Sequence, residues 1–274
     1  MDKRQDRAIS YSIFDPTGNI TALVESPVEP ERRSAVAAAL MRRHPEVEQV
    51  GFFRIAEGRP ELNMAGGEFC GNASMSAAAL YLLQRGCGAG EDTAVSIAVS
   101  GASEPVRVTL RQTGEEAFSA CVRMPRALSV REAAFSFGGA AGSLPLVQME
   151  GISHLMIEPA SPFFALRADH PAAESAVHSF CDALRADCLG LMFLDAAESS
   201  LTPLVYVPGS GTVFWENSCA SGSAAVGMAL AARAGCAVNL TLSEPGGELR
   251  VSCDAAGETL LYGCTRRIGE YRGV

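Results

Sequence analysis

Two segments of this 274-residue chain are built alike, and that echo limits the folds open to it. In each, a cysteine opens a run rich in Ala and Ser that closes at a Gly-Cys pair: Cys70 to Gly86-Cys87, and Cys219 to Gly235-Cys236. The interval is 17 residues both times (87 − 70 and 236 − 219). After each second cysteine the pattern changes to strand-like runs, VSIAVSG then SEPVRVTL, and VNLTLSE then GGELRVS. We read two similar α/β units. Small residues on both helices predict that each is closely surrounded by a curved sheet. A ligand site is expected between the units, where such sites tend to fall.

The pattern predicts a hairpin over 8–14 and 19–25 with PTG as its turn. An amphipathic helix over 29–44 follows, with Glu in its first turn and Arg in its last. Strands are expected at 48–54, 60–64, 94–100, 105–111 and 117–124, and a helix from residue 73 to 86. MPRAL at 124–128 reads as the crossing between halves. The second half is expected to carry strands near 144–149 and 152–158, a helix at 172–186 and strands at 189–194 and 203–207. A helix over 224–235 and strands near 238–242, 248–253 and 258–263 complete it.

Hydrophobic residues at 48% and charged residues at 19% permit a packed core and argue against disorder. A net charge of −9 without a basic cluster argues against nucleic acid as a partner. No apolar run is long enough for a membrane span, and MDKRQDRAIS lacks the apolar stretch of a signal peptide, so a disordered lead and a cytoplasmic protein are expected. Nine cysteines, with no C-x-x-C pair, do not make a disulfide framework or a zinc site. The single lysine, Lys3, lies in that lead, which disfavours a pyridoxal phosphate enzyme, and no phosphate-cradling glycine loop is evident. No cofactor and no metal are expected.

The chemistry centres on EFCGNASMS and ENSCASGSA. Each cysteine stands where a helix begins, and the first N–H groups of a helix have no partner within it. Gly71 and Asn72 on one side, and Ala220 and Ser221 on the other, are small enough to bring those N–H groups against a carboxylate. The same setting is expected to lower the pKa of both thiols. Two such helix starts face to face would hold one carboxylate and place a sulfur on each side of the neighbouring carbon. A racemase working without a cofactor needs that geometry: one thiolate removes the α-proton and the other thiol supplies one to the opposite face. The reading of two structural cysteines stands beside it.

GNITALVES, EQVGFF, EFCGNAS and WENSCASGS, in this order, resemble the diaminopimelate epimerase superfamily over nearly the whole chain. FDPTGN, GLMFLD, PLVYVP and EPGGELRV bring it near the histidine racemases of opine-type metallophore pathways. The resemblance implies an α/β (α+β) fold of two pseudo-symmetric domains, each a mixed β-barrel round a central helix. The active site would lie in the interdomain cleft, with Cys70 and Cys219 catalytic, no cofactor and a homodimer. We place the domains at 1–127 with a C-terminal strand 264–274, and at 128–263. Diaminopimelate is disfavoured as substrate. VPGSGTVFWE lacks the arginine that would bind its distal carboxylate, and the two loop asparagines are replaced by Ile152 and a position near Gly190. Ala220 replaces a glycine. Histidine becomes the expected substrate, another amino acid the alternative, and a non-catalytic amino-acid-binding protein the rival from a different class.

Several other residues carry a structural reading beside a functional one. Asn19 is a turn residue or a substrate contact. Glu48 and Gln49 are a solvated strand end or acceptors for the substrate's amino or imidazole N–H. Glu216 is expected to hold the α-ammonium or the substrate side chain. Trp215 is core packing or a stacking platform, His154 structural or a pocket residue, His44 a surface residue. Asn63 is a further pocket candidate.

Overall fold

The computed structural model describes residues 9–86 and 90–273. Lys3, the expected disordered lead as far as residue 8, and Cys87 lie outside the described residues. β1 (Ser10–Asp15) and β2 (Thr21–Val24) form the expected hairpin, and Gly18 takes the left-handed conformation that its turn needs (φ 85°). α1 (Pro30–Arg43) starts on a proline and ends on Arg42 and Arg43, which suit the helix dipole. β3 (Gln49–Ala56) runs parallel to β2, and β4 (Arg59–Met64) returns antiparallel. α2 (Gly71–Arg85) precedes β5 (Thr93–Val99), β6 (Val106–Gln112) and β7 (Ala117–Arg123).

The second half opens with β8 (Ser129–Phe137), β9 (Ala140–Gln148) and β10 (Ser153–Ile157). α3 (His170–Leu184), β11 (Leu189–Asp195), β12 (Ser200–Val207) and β13 (Thr212–Trp215) follow. α4 (Ala220–Ala234), β14 (Val238–Glu244), β15 (Gly247–Cys253) and β16 (Thr259–Arg272) end the described chain.

The architecture is mixed α+β. Strands β1 to β7 and β16 are paired in sequence, and a β1–β16 pairing closes them into an eight-stranded barrel. From β16 the sheet continues through β15, β14, β12, β11, β10, β9 and β8, with β13 paired to β12. α2 contacts β2 to β7 and β16, while α4 contacts β8 to β11 and β14 to β16. Both helices are buried almost all round, which explains why neither shows an apolar stripe. Their Ala, Ser and Gly side chains let strands approach on every side, and one core cluster holds residues of both. α1 and α3 lie outside the strands over smaller clusters, Val36, Ala37 and Leu40 under α1, and Phe163, Val177 and Phe180 under α3.

Three differences from the sequence reading have physical causes. The β8–β9 hairpin turns at Gly138-Gly139 (φ 58° and 82°), but β8 is an edge strand with only Ala133 and Phe135 buried, so its alternation is faint. Both buried helices begin earlier than expected, at Gly71 and Ala220, directly after the capping cysteines. β16 does not stop near residue 263. It pairs with β15 through Tyr262, with β7 through Arg266 and with β1 through Arg272. No described helix is long and apolar enough to cross a membrane.

Candidate active site

Cys70 and Cys219 occupy the N-cap positions of α2 and α4, both with extended backbone (φ −133°, ψ 112° and φ −129°, ψ 99°). The two helix starts abut. A Cβ added to Gly71 would lie 2.8 Å from the Ala220 Cβ, so alanine at 220 requires glycine at 71. Both cysteines line one cleft, and Gly71, Asn72, Ala220 and Ser221 line it with them. Ile152, Val205, Val207 and Phe214 supply its apolar wall.

A hydrogen-bonded chain crosses the cleft. The Cys70 thiol donates to Gln49 Oε1, and Gln49 Nε2 donates to Glu216 Oε1 at 2.8 Å. Glu216 in turn sits beside the Cys219 thiol. The other Glu216 oxygen, Oε2, is buried without a partner. The two helix starts are not equivalent. Cys70 Sγ accepts from the Ala73 N–H at 3.3 Å. The Cys219 N–H donates to Glu244 Oε2 at 2.7 Å, and Ser223 Oγ donates to Glu244 Oε1.

The expectation that the helix starts lower both thiol pKa values is overturned. Burial pushes the Cys70 thiol up, more than the Ala73 N–H lowers it, and Glu216 and Glu68 push it further. Burial, then Glu216 and Glu244, raise the Cys219 thiol well above the ordinary value. The carboxylates respond likewise. Burial lifts Glu216 and Glu244 to about 8 each, and Glu48 to about 7. Backbone N–H groups favour a thiolate, but desolvation among carboxylates outweighs them here.

Nine of the ten expected site residues line the cleft, the exception being Asn19. The Asn19 Nδ2 donates to the Ser218 carbonyl at 2.7 Å, and the Asn72 Nδ2 donates to the same carbonyl at 2.9 Å. Together they fix the residue before Cys219. Both Glu48 oxygens accept from Asn217, which occupies the acceptors expected for substrate. Trp215 packs on His170 (4.0 Å between ring centroids) and Phe193, away from the cleft, and donates to Glu174. His154 is structural: it is buried, its Nε2 contacts Ser221 Oγ at 3.0 Å, and burial lowers it to about 3, so it is neutral. Gly190 makes room for that ring, since a Cβ there would lie 2.3 Å from His154 Nδ1. His44 bonds Tyr11 and Glu46, and Asn63 pairs with Phe52 across β3–β4, both away from the cleft.

The sequence reading missed two residues. Glu68 lines the cleft, two residues before Cys70 in non-helical chain, where alternate side chains share a face. Glu244 lies 25 residues beyond Cys219, and nothing local links the two. Among the described residues no Lys, Arg or His side chain lines the cleft, whereas Glu48, Glu68 and Glu216 do. Carboxylates and orphaned acceptors suit a cationic group; the open helix N–H groups suit an anionic one. An amino acid brings both. Among the described residues no group of His, Cys, Asp and Glu could hold a metal.

Gly101 keeps this loop in place. Its φ is 71°, and a Cβ there would lie 2.2 Å from the Phe69 nitrogen, next to Cys70. Gly101→Ala is therefore expected to cost about 2–4 kcal/mol through backbone strain and forced displacement. Urea unfolding measures this, and an unchanged midpoint would show that the loop can give way.

The family model described as "Histidine racemase CntK N-terminal domain" matches residues 8–261. A histidine racemase of Fusobacterium nucleatum is 31% identical over 234 residues, covering 82% of each chain. A histidine racemase of Staphylococcus aureus is 29% identical over 252 residues, covering 90% of this chain and 89% of the other. Among solved structures, a probable proline racemase of Agrobacterium radiobacter with bound carbonate superposes with a TM-score of 0.69 at 13% identity, over 97% of this chain and 93% of that one. A hydroxyproline epimerase of Agrobacterium vitis with bound trans-4-hydroxy-L-proline gives 0.68 at 12%, over 98% and 93%. At such identities the structural likeness speaks for the fold, which is of the proline-racemase kind.

Proposed function

The chain belongs to the histidine racemase family, and on that footing we propose that it interconverts L- and D-histidine, with Cys70 and Cys219 as the two proton-transfer groups. One observation carries the reading: two cysteines cap two abutting helices at a single cleft. The substrate carboxylate lies against the free N–H groups of those helix starts. Its ammonium meets the unpartnered Glu216 Oε2. The α-carbon then sits between the sulfurs. A thiolate takes the α-proton, forming S–H as C–H breaks. The opposite thiol gives its proton to the other face, leaving a thiolate. The helix starts stabilise the charge that develops on the carboxylate as the α-carbon becomes carbanionic. An ammonium beside Glu216 offsets the negative charge that pushes both thiols up.

We also read the chain as two pseudo-symmetric halves, 1–127 with 264–274 and 128–263, wrapped on α2 and α4. The similar contacts of these two helices support this. The diaminopimelate epimerase-like variant of the fold, a homodimer, a cytoplasmic place and a role in opine metallophore assembly rest on the resemblance in sequence.

L-Histidine incubated with the protein in deuterium oxide is expected to lose its α-proton NMR signal while its circular dichroism decays to zero. The rate should still be rising at pH 9, the ordinary thiol value, because a thiol raised by burial ionises only beyond it. Histidine recovered with its α-proton intact would refute the proposal.

A further inference from the structure

We infer that Glu68 is the residue that selects the substrate's side chain, accepting a hydrogen bond from a ring N–H; this rests on the histidine reading above. Three buried acceptor atoms on the cleft wall lack partners among the described residues: Glu216 Oε2, Asn72 Oδ1 and Glu68 Oε2. A buried acceptor without a donor is costly, so three at one cleft ask for a ligand rich in N–H groups. Glu216 bonds Gln49 and adjoins Cys219, which puts it at the α-carbon and its ammonium. Asn72 shares its amide with the Ser218 carbonyl beside Cys219, at the same end. Glu48 has both oxygens bonded to Asn217. Glu68 is the carboxylate left over: among the described residues the backbone N–H groups of Gly66 and of Glu68 itself are the only donors near it, and its Oε2 stays open to a ligand.

Its position is fixed by close packing. The Glu68 carbonyl accepts from Ser100 Oγ at 2.9 Å, and Gly101 presses against the next residue. The carboxylate tucks over Gly66, where a Cβ would come within 2.7 Å of Oε2. Val207 approaches the same point, 2.4 Å from it through Cγ1, and with Ser210 and Thr212 belongs to the same part of the wall. Glu68 thus stands between Cys70 and the β12–β13 hairpin, on the side to which a substrate side chain would extend once the carboxylate is held by the helix starts. A ring that brings an N–H satisfies Oε2. A ring of equal size without one leaves it buried and unpaired.

The test compares wild type, Glu68→Gln and Glu68→Asp by α-deuterium exchange with two substrates, L-histidine and L-3-(2-thienyl)alanine, whose ring has no N–H. The ratio of kcat/KM for histidine over thienylalanine is expected to fall about 10–100-fold in Glu68→Gln, the loss for histidine appearing mainly in KM, because a hydrogen bond to a charged group is being weakened. Glu68→Asp should recover part of the ratio. An equal loss for both substrates, or an unchanged ratio, would overturn the role given to Glu68 while leaving the racemase reading intact. Wild-type protein that exchanges neither substrate would instead remove the racemase reading, and this inference with it.

Discussion

Cys70→Ser and Cys219→Ser are each expected to lose racemisation by about 100–10,000-fold, the range supplied by positioned acid–base groups, yet to keep solvent exchange with opposite enantiomers. The reason is geometric. Each sulfur faces one side of the α-carbon in the proposed complex. With one thiol replaced, the other can still ionise, remove the proton on its own face and return a deuteron to that face. The result is exchange without inversion, open only to the enantiomer whose α-proton points at the surviving sulfur. The two variants should therefore be complementary, one deuterating L-histidine and the other D-histidine, while the double variant deuterates neither. The measurement is α-proton loss by NMR on each pure enantiomer, with chiral chromatography to confirm retention. If both single variants exchanged the same enantiomer, or the double variant still racemised, the sulfurs would not flank one carbon. The asymmetry of the site adds a second expectation. Each sulfur faces two carboxylates, Glu216 and Glu244 for Cys219 and Glu216 and Glu68 for Cys70, but Cys70 is favoured by the Ala73 N–H whereas a hydrogen bond with Glu216 raises Cys219 further. Exchange that relies on Cys219 as the base should need the higher pH.

The repeated cysteine-led helix made the centre of the fold legible, because burying a helix on all sides demands small residues and those are visible in any sequence. The position of the cysteines at the helix starts was legible for the same reason. Asn72 entered as part of a helix start, Gln49 through the resemblance and Glu48 as its neighbour, and the structure places all three at the cleft. What escaped was decided through space. β13 has four residues, none of them fully buried, so no periodicity marks it. Asn19 looked like a substrate ligand, but its amide holds the Ser218 carbonyl, a partner 199 residues away. The sign of the thiol shifts is not legible in sequence because only the local influence, the helix N–H groups, is visible there. What opposes it is burial and three carboxylates drawn from separate segments, Glu68, Glu216 and Glu244.

Glu244→Gln is expected to be more stable than wild type at alkaline pH and to lose that advantage toward pH 5. Glu244 is 6% exposed, and burial raises it to about 8, against the opposing pull of Ser223 and the Cys219 N–H and with added repulsion from Glu216. In the unfolded chain the same carboxyl titrates near 4.5. Below that value both states carry the proton and the group contributes nothing to pH dependence. Between 4.5 and 8 the folded state keeps a proton that the unfolded chain has released, so stability falls as pH rises, and above 8 the penalty is constant. Each unit of displacement corresponds to about 1.4 kcal/mol, so the penalty at pH 8.5 is of order a few kcal/mol. Glutamine has no proton to lose and still offers a carbonyl to one donor. Glu216 titrates in the same region and repels Glu244, so the difference between the two unfolding curves reports Glu244 together with its coupling to Glu216. Urea unfolding at pH 5 and pH 8.5 gives that difference directly. A gap that does not widen with pH would mean that Glu244 is not held protonated by burial. Removing the carboxylate also removes a repulsion felt by the Cys219 thiol, so the alkaline limb of the rate profile should move to lower pH in the direction that uses Cys219 as base, and stay in place in the other.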